Sequence, residues 1–167
     1  TLMGDIAAKL HFKLEINIYS GVNYTFEKLD SVLRDFKTND GDVVFFYLNS
    51  HGYKSSTASN FPRVYIKSAT SSKYLVSTDT INSRLKSKST KPKSIITVIQ
   101  ACNRLVSTSP DLPLATKSLE DFSEQNYKNL FLSNLNVMVT SSQRGKTSIA
   151  TSKGSHFTLS FKKALSE

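Results

Sequence analysis

Asp42-Val43-Val44-Phe45-Phe46-Tyr47-Leu48-Asn49-Ser50-His51-Gly52 is an apolar run that ends in a serine, a histidine and a glycine. A second run, Ser94-Ile95-Ile96-Thr97-Val98-Ile99-Gln100-Ala101-Cys102-Asn103, ends at a cysteine. Strands that are apolar throughout, rather than alternating, are expected where helices cover both faces of a parallel sheet. The chain holds one cysteine and three histidines, and one of each falls where such a strand hands over to a loop. Open α/β sheets carry their sites at the carboxyl ends of strands. If the two runs are neighbours, an imidazole and a thiol meet at that edge, the layout of a cysteine nucleophile with a histidine base.

Working outward, Leu2, Met3, Ile6, Ala7 and Leu10 recur at helical spacing, so an amphipathic helix opens the chain. Phe12, Leu14, Ile16 and Ile18 then alternate with polar residues and predict a strand with one wet face, near a sheet edge. Thr25 is positioned to cap a helix whose stripe is Phe26, Leu29, Val32, Leu33 and Phe36, and Asn39-Asp40-Gly41 supplies the turn into the His51 strand. Arg63 to Lys67 and Tyr74 to Val76 read as a small hairpin, and Thr78-Asp79 as the start of a helix bearing Ile81 and Leu85. Beyond Cys102, residues 105–118 contain Pro110 and Pro113 and read as an exposed loop. A helix from about Leu119 to Leu132, a strand at Asn136 to Thr140, a loop from Ser141 to Ser152 and a last helix bearing Phe157, Leu159, Phe161 and Leu165 complete the pattern. This order calls for an α/β fold: a three-layer α/β/α sandwich on a mostly parallel central sheet, with a small β-hairpin insertion.

At 167 residues and 38% hydrophobic, the sequence is enough for one domain with a core and too short for two ordinary ones. The net charge of +9 raises the question of a nucleic-acid or membrane partner. Its lysines are scattered apart from the stretch Arg84 to Lys93, and no aromatic-interleaved basic stripe accompanies them, which argues against nucleic acid. No apolar run approaches the ~20 residues of a membrane span. One cysteine cannot form an internal disulfide, and no signal peptide is visible, so the expected compartment is the cytoplasm. The lone cysteine and dispersed histidines give no zinc spacing, and no metal or cofactor is expected.

A lone cysteine ending an apolar strand is most often a small buried hydrophobe, and a lone histidine is more often structural than catalytic. Their joint position at the ends of the two most apolar strands shifts the balance toward chemistry. Histidine serves at neutral pH as the base that activates a thiol and as the acid that protonates a leaving amine. Gly52 lets a substrate approach the backbone, and the N–H groups of Gly52 and Cys102 are candidates for an oxyanion hole.

The segment Phe45 to Gly52 resembles the histidine motif of caspases and metacaspases, and Ile99-Gln100-Ala101-Cys102-Asn103-Arg104 resembles their cysteine motif. The family's histidine stands about 50 residues upstream of the cysteine, and here 51 positions separate the two. Val137 to Ser142, followed by Gly145, Ser148 and Gly154-Ser155-His156-Phe157, is similar to the last core strand, substrate loop and closing helix. The resemblance spans nearly the whole chain and implies a cysteine endopeptidase, with Cys102 the nucleophile and His51 the general acid/base. Gln100 would line the P1 pocket, and Ser148 with its loop, including Ser141, Ser142 and Arg144, would bind a protein or peptide substrate in strand-like fashion. Some metacaspases are activated by calcium, but no acidic cluster here points to that.

Neither specificity rule of the family is met. The place of a caspase pocket arginine, two after Ser148, is Ala150, and the acidic residue of metacaspases is replaced by Gln100. Arg144 or Lys146 would favour an acidic P1 by charge complementarity. The resemblance further implies a first strand upstream of Thr1, supplied by another fragment of the same precursor or removed from it. It also makes residues 105–118, with Asp111 and Lys117, a candidate processing region. The competing expectation is a catalytically idle module of the same fold that binds protein partners.

Overall fold

The computed structural model describes residues 2–54, 59–68, 70, 74–88, 90–103, 124–151 and 154–166. Among the described residues, the first half of the pattern gives three α-helices and four strands: α1 (Leu2–Lys9), α2 (Phe26–Asp35), β1 (Val43–Asn49), β2 (Gly52–Tyr53), β3 (Arg63–Ile66), β4 (Tyr74–Ser77) and α3 (Thr78–Lys88). The second half adds β5 (Ser94–Gln100), α4 (Glu124–Phe131), β6 (Asn136–Thr140), β7 (Ala150–Thr151), β8 (Gly154–Ser155) and α5 (His156–Ser166).

Three strands form the central sheet in the order β1-β5-β6, all parallel. All seven residues of β5 are buried, as expected of a strand between two neighbours and two helical layers. Its side chains divide between the faces. Ile95 and Ile99 join Leu33 of α2 and Ile81 and Leu85 of α3, while Ile96 and Val98 join Ile6 of α1 and Tyr127 and Phe131 of α4. On that second face Phe45 of β1 packs its ring against Phe131 and Phe161, the latter from α5. The result is the three-layer α/β arrangement expected from the sequence. Thr97 points to the α3 face, where its hydroxyl donates to Asn82 Oδ1 at 2.8 Å. A buried polar group in an apolar strand is thereby satisfied.

Local signals fix the helices that cover the sheet. Thr25 caps α2, its hydroxyl accepting from Lys28 N at 3.2 Å. Thr78, fully buried at the start of α3, donates through its hydroxyl to Pro62 O at 2.8 Å and so ties the helix to the small sheet. Arg84 of α3 reaches Asp30 of α2 at 2.7 Å. The hairpin foreseen at residues 63–67 and 74–76 is β3–β4, and β2 adds to it to make a separate antiparallel sheet, β2-β3-β4.

Two details differ from the sequence-based expectation. Residues 12–20 form no strand, and Leu14, Ile16 and Ile18 are exposed, Ile18 at 79%. Alternation assigns side chains to faces, but a strand also needs a neighbour's hydrogen-bond ladder, and no described residue offers one to this segment. For the same reason β1 borders the described sheet on one side, and several of its side chains are only partly covered despite an apolar run. A short hairpin, β7–β8, precedes α5 where only a loop was foreseen. The 105–118 loop and residues 119–123 lie outside the described residues.

The core carries a direct test. Ile81 is fully buried between α3 and the sheet, so Ile81→Ala is expected to lower stability by about 2–5 kcal/mol in urea titration. A loss below about 0.5 kcal/mol, the range of exposed sites, would contradict the packing described.

Candidate functional site

The β1–β5 ladder runs in register from Val43↔Ser94 to Asn49↔Gln100 and extends one step further, with Ser50 N donating to Gln100 O at 3.0 Å. The two chains therefore leave the sheet together. His51 turns into the small sheet, its carbonyl accepting from Tyr65 N at 2.8 Å. Ser50 anchors the same turn by donating its hydroxyl to Tyr65 O.

At the next residue the chains come into contact. A Cβ placed on Gly52 would lie 2.7 Å from Ala101 Cβ, 2.7 Å from the Cys102 carbonyl oxygen and 3.1 Å from Arg63 O. Only a residue without a side chain fits there. This close approach brings His51, Gly52 and Cys102 to one edge of the molecule. The His51 side chain is exposed, and Cys102 is partly buried.

Tyr24 supports the turn from below, donating its hydroxyl to Asn49 O at 2.9 Å. Burial pushes its phenol above the ordinary 10.0, opposed by a hydrogen bond with Ser50.

The loop after β6 closes over the cysteine. Ser141 Oγ accepts from Ala101 N at 3.0 Å and lies 3.1 Å from Ala101 O, and Ser142 Oγ donates to that carbonyl at 2.8 Å. Both serines thus brace the backbone next to Cys102. Ser148 N–H points at Cys102 Sγ at 3.4 Å, and the thiol points at Ser148 O at 3.7 Å. Gln100 is 5% exposed, and both ends of its amide are engaged. Nε2 donates to Ser148 Oγ at 2.5 Å, and Oε1 accepts from Ser155 Oγ at 2.6 Å. Arg144 is exposed, with one guanidinium nitrogen 3.5 Å from Asn60 Oδ1. Lys146 is exposed, and its carbonyl accepts from Asn103 N at 2.9 Å.

Several contributors escaped the sequence reading. Asn103 is fully buried, donates Nδ2 to Asn60 O at 2.7 Å, and accepts at its carbonyl from Gly145 N at 2.6 Å. It pins the loops on either side of Cys102, and only its position next to the cysteine hinted at that. Ser155, Thr158 and Tyr47 extend the Gln100 network: Thr158 N donates to Ser155 Oγ at 2.9 Å, and Thr158 Oγ1 shares a hydrogen bond with Tyr47 OH at 2.8 Å. Among the described residues no group of three or more histidines, cysteines or carboxylates is placed to hold a metal ion.

Two outcomes follow from this geometry. Gly52→Ala is expected to destabilise the protein by about 1–3 kcal/mol in urea titration, as in other overpacked sites, and an unchanged midpoint would contradict the contact. The unfolded chain releases the Tyr24 proton at lower pH than the folded one, so this group's contribution falls as pH rises above 10.0. Tyr24→Phe is expected to cost about 1 kcal/mol near neutrality yet to lose stability less steeply than wild type from about pH 9 to 11. Parallel pH profiles would contradict the assignment.

No helix in the described residues is long and apolar enough to cross a membrane. No curated protein matches the chain. A family model described as caspase domain matches residues 2–167, nearly the whole sequence, in agreement with the parallel sheet and its separate antiparallel companion. The chain therefore belongs to the caspase domain family of cysteine peptidases.

Proposed function

We infer that the protein is an active cysteine endopeptidase in which Cys102 is the nucleophile and His51 the general acid/base. The observation that carries this reading is the contact of the Gly52 backbone with the Cys102 carbonyl, which supports a shared cleft for the two side chains. In the proposed cycle His51 takes the thiol proton and the sulfur attacks the scissile carbonyl carbon. The N–H groups of Gly52 and Cys102 stabilise the oxyanion. The C–N bond then breaks as the imidazolium passes its proton to the leaving amine, leaving an acyl-enzyme. Water, deprotonated by His51, attacks that thioester and releases the acid and the thiolate. This chemistry calls for no metal. The exposed guanidinium of Arg144 beside the loop supports a preference for an acidic P1 side chain.

A second reading, an idle module that binds partners, is favoured by one observation. The Gln100 amide proposed for the pocket is engaged at both ends by groups of the protein itself, and the thiol is engaged by Ser148.

Cleavage of a peptide library varied at P1, by the full-length protein, separates the two. An active enzyme is expected to cleave after acidic residues, to lose cleavage in Cys102→Ala with the fold retained, and to lose about 10²- to 10⁴-fold in His51→Ala. Absence of turnover across the library, or activity surviving in Cys102→Ala, would overturn the peptidase reading.

A further inference from the structure

Gln100 precedes Cys102 by two residues, so its side chain and the thiol lie close in sequence, yet the two are joined through a third group. Gln100 Nε2 donates to Ser148 Oγ at 2.5 Å, and the main-chain N and O of that same Ser148 are the atoms that face Cys102 Sγ, at 3.4 and 3.7 Å. The Gln100 amide is held in one orientation from behind. Its oxygen receives Ser155 Oγ at 2.6 Å, and Ser155 in turn caps the first turn of α5 through Thr158 N at 2.9 Å. Gln100 and Ser155 are both buried, at 5% and 7% exposure, where hydrogen bonds are least weakened by water.

The Ser148 peptide group has two possible occupants. A substrate bound as a strand needs a free N–H and C=O from the loop to pair with its own backbone. Here both are turned onto the nucleophile.

We propose that Gln100 is a positioning residue which, through the Ser148 hydroxyl, holds the Ser148 peptide against the Cys102 sulfur and keeps the nucleophile latched until a substrate strand takes that peptide over. This rests on the reading of Cys102 as the nucleophile. The carboxamide is suited to the task because it supplies a donor on the Ser148 side and an acceptor on the Ser155 side at once. A carboxylate at the same place would not break the link, because the Ser148 hydroxyl can turn and donate to it, whereas an unbranched apolar side chain such as methionine offers Ser148 no comparable partner.

Alkylation of Cys102 by iodoacetamide tests the latch without requiring peptide cleavage, and it is unambiguous because the chain has one cysteine. With the full-length protein at fixed pH, Gln100→Met and Ser148→Ala are each expected to speed alkylation about three- to tenfold, the range set by losing one net hydrogen bond. The double variant is expected to be no faster than the quicker single, because both changes remove the same bond. Ser148→Thr keeps the hydroxyl and is expected to stay at the wild-type rate. A merely structural Gln100 would leave Ser148→Ala at the wild-type rate, and that result overturns the proposal even if Gln100→Met does not fold. Multiplying effects in the double variant overturn it as well. Peptide cleavage lost in these variants with unchanged alkylation would count against the latch and leave the peptidase reading standing.

Discussion

The parallel register of β1 and β5 is the constraint on which the rest depends. With Asn49 opposite Gln100, the following residues emerge at the same height, and Gly52 meets the Cys102 carbonyl. Side chains alternate faces along a strand, so a slip of one residue would swap the two faces of the strand that slipped. It would also carry His51 away from Cys102. The pairing is pinned because β5 is buried on both faces: Ile95 and Ile99 serve one apolar cluster, Ile96 and Val98 the other. Core packing therefore sets the position of the chemistry.

A second level of organisation is polar. Around Cys102 the backbone is tied to the loop after β6 by Ser141, Ser142 and Asn103, and Gln100 links the same loop to the start of α5. These bonds are buried or partly buried and mutually satisfied, the condition under which a polar network specifies one arrangement. Asn103 is the exception, since its Oδ1 is buried without a partner among the described residues. An unmet acceptor beside the nucleophile costs stability, and it marks the spot where the two flanking loops are drawn together.

Much of the fold was legible in the sequence, for physical reasons. The uniformly apolar β5, the stripe of α2 with its Thr25 cap, and the hairpin β3–β4 are each encoded by neighbours within a few residues. The segment 12–20 misled because its alternation describes a strand's faces and says nothing about whether a partner exists. At the site, the positions of His51, Gly52 and Cys102 could be read from where two runs stop. The engagement of Gln100 by Ser148 and Ser155, or of Ala101 by Ser141 and Ser142, could not. Those partners stand 40 or more positions away in the chain, and no local pattern records which hydroxyl reaches which amide.

The central claim is that the sulfur of Cys102 and the imidazole of His51 serve one cleft. A crystal structure of the full-length protein after reaction with a peptidyl chloromethyl ketone bearing an acidic P1 residue addresses it most directly. The expected result is a covalent bond to Cys102 Sγ, with the His51 ring on the same side within about 4 Å of the adduct. An unmodified Cys102, or an adduct with His51 turned away across the molecule, would contradict it.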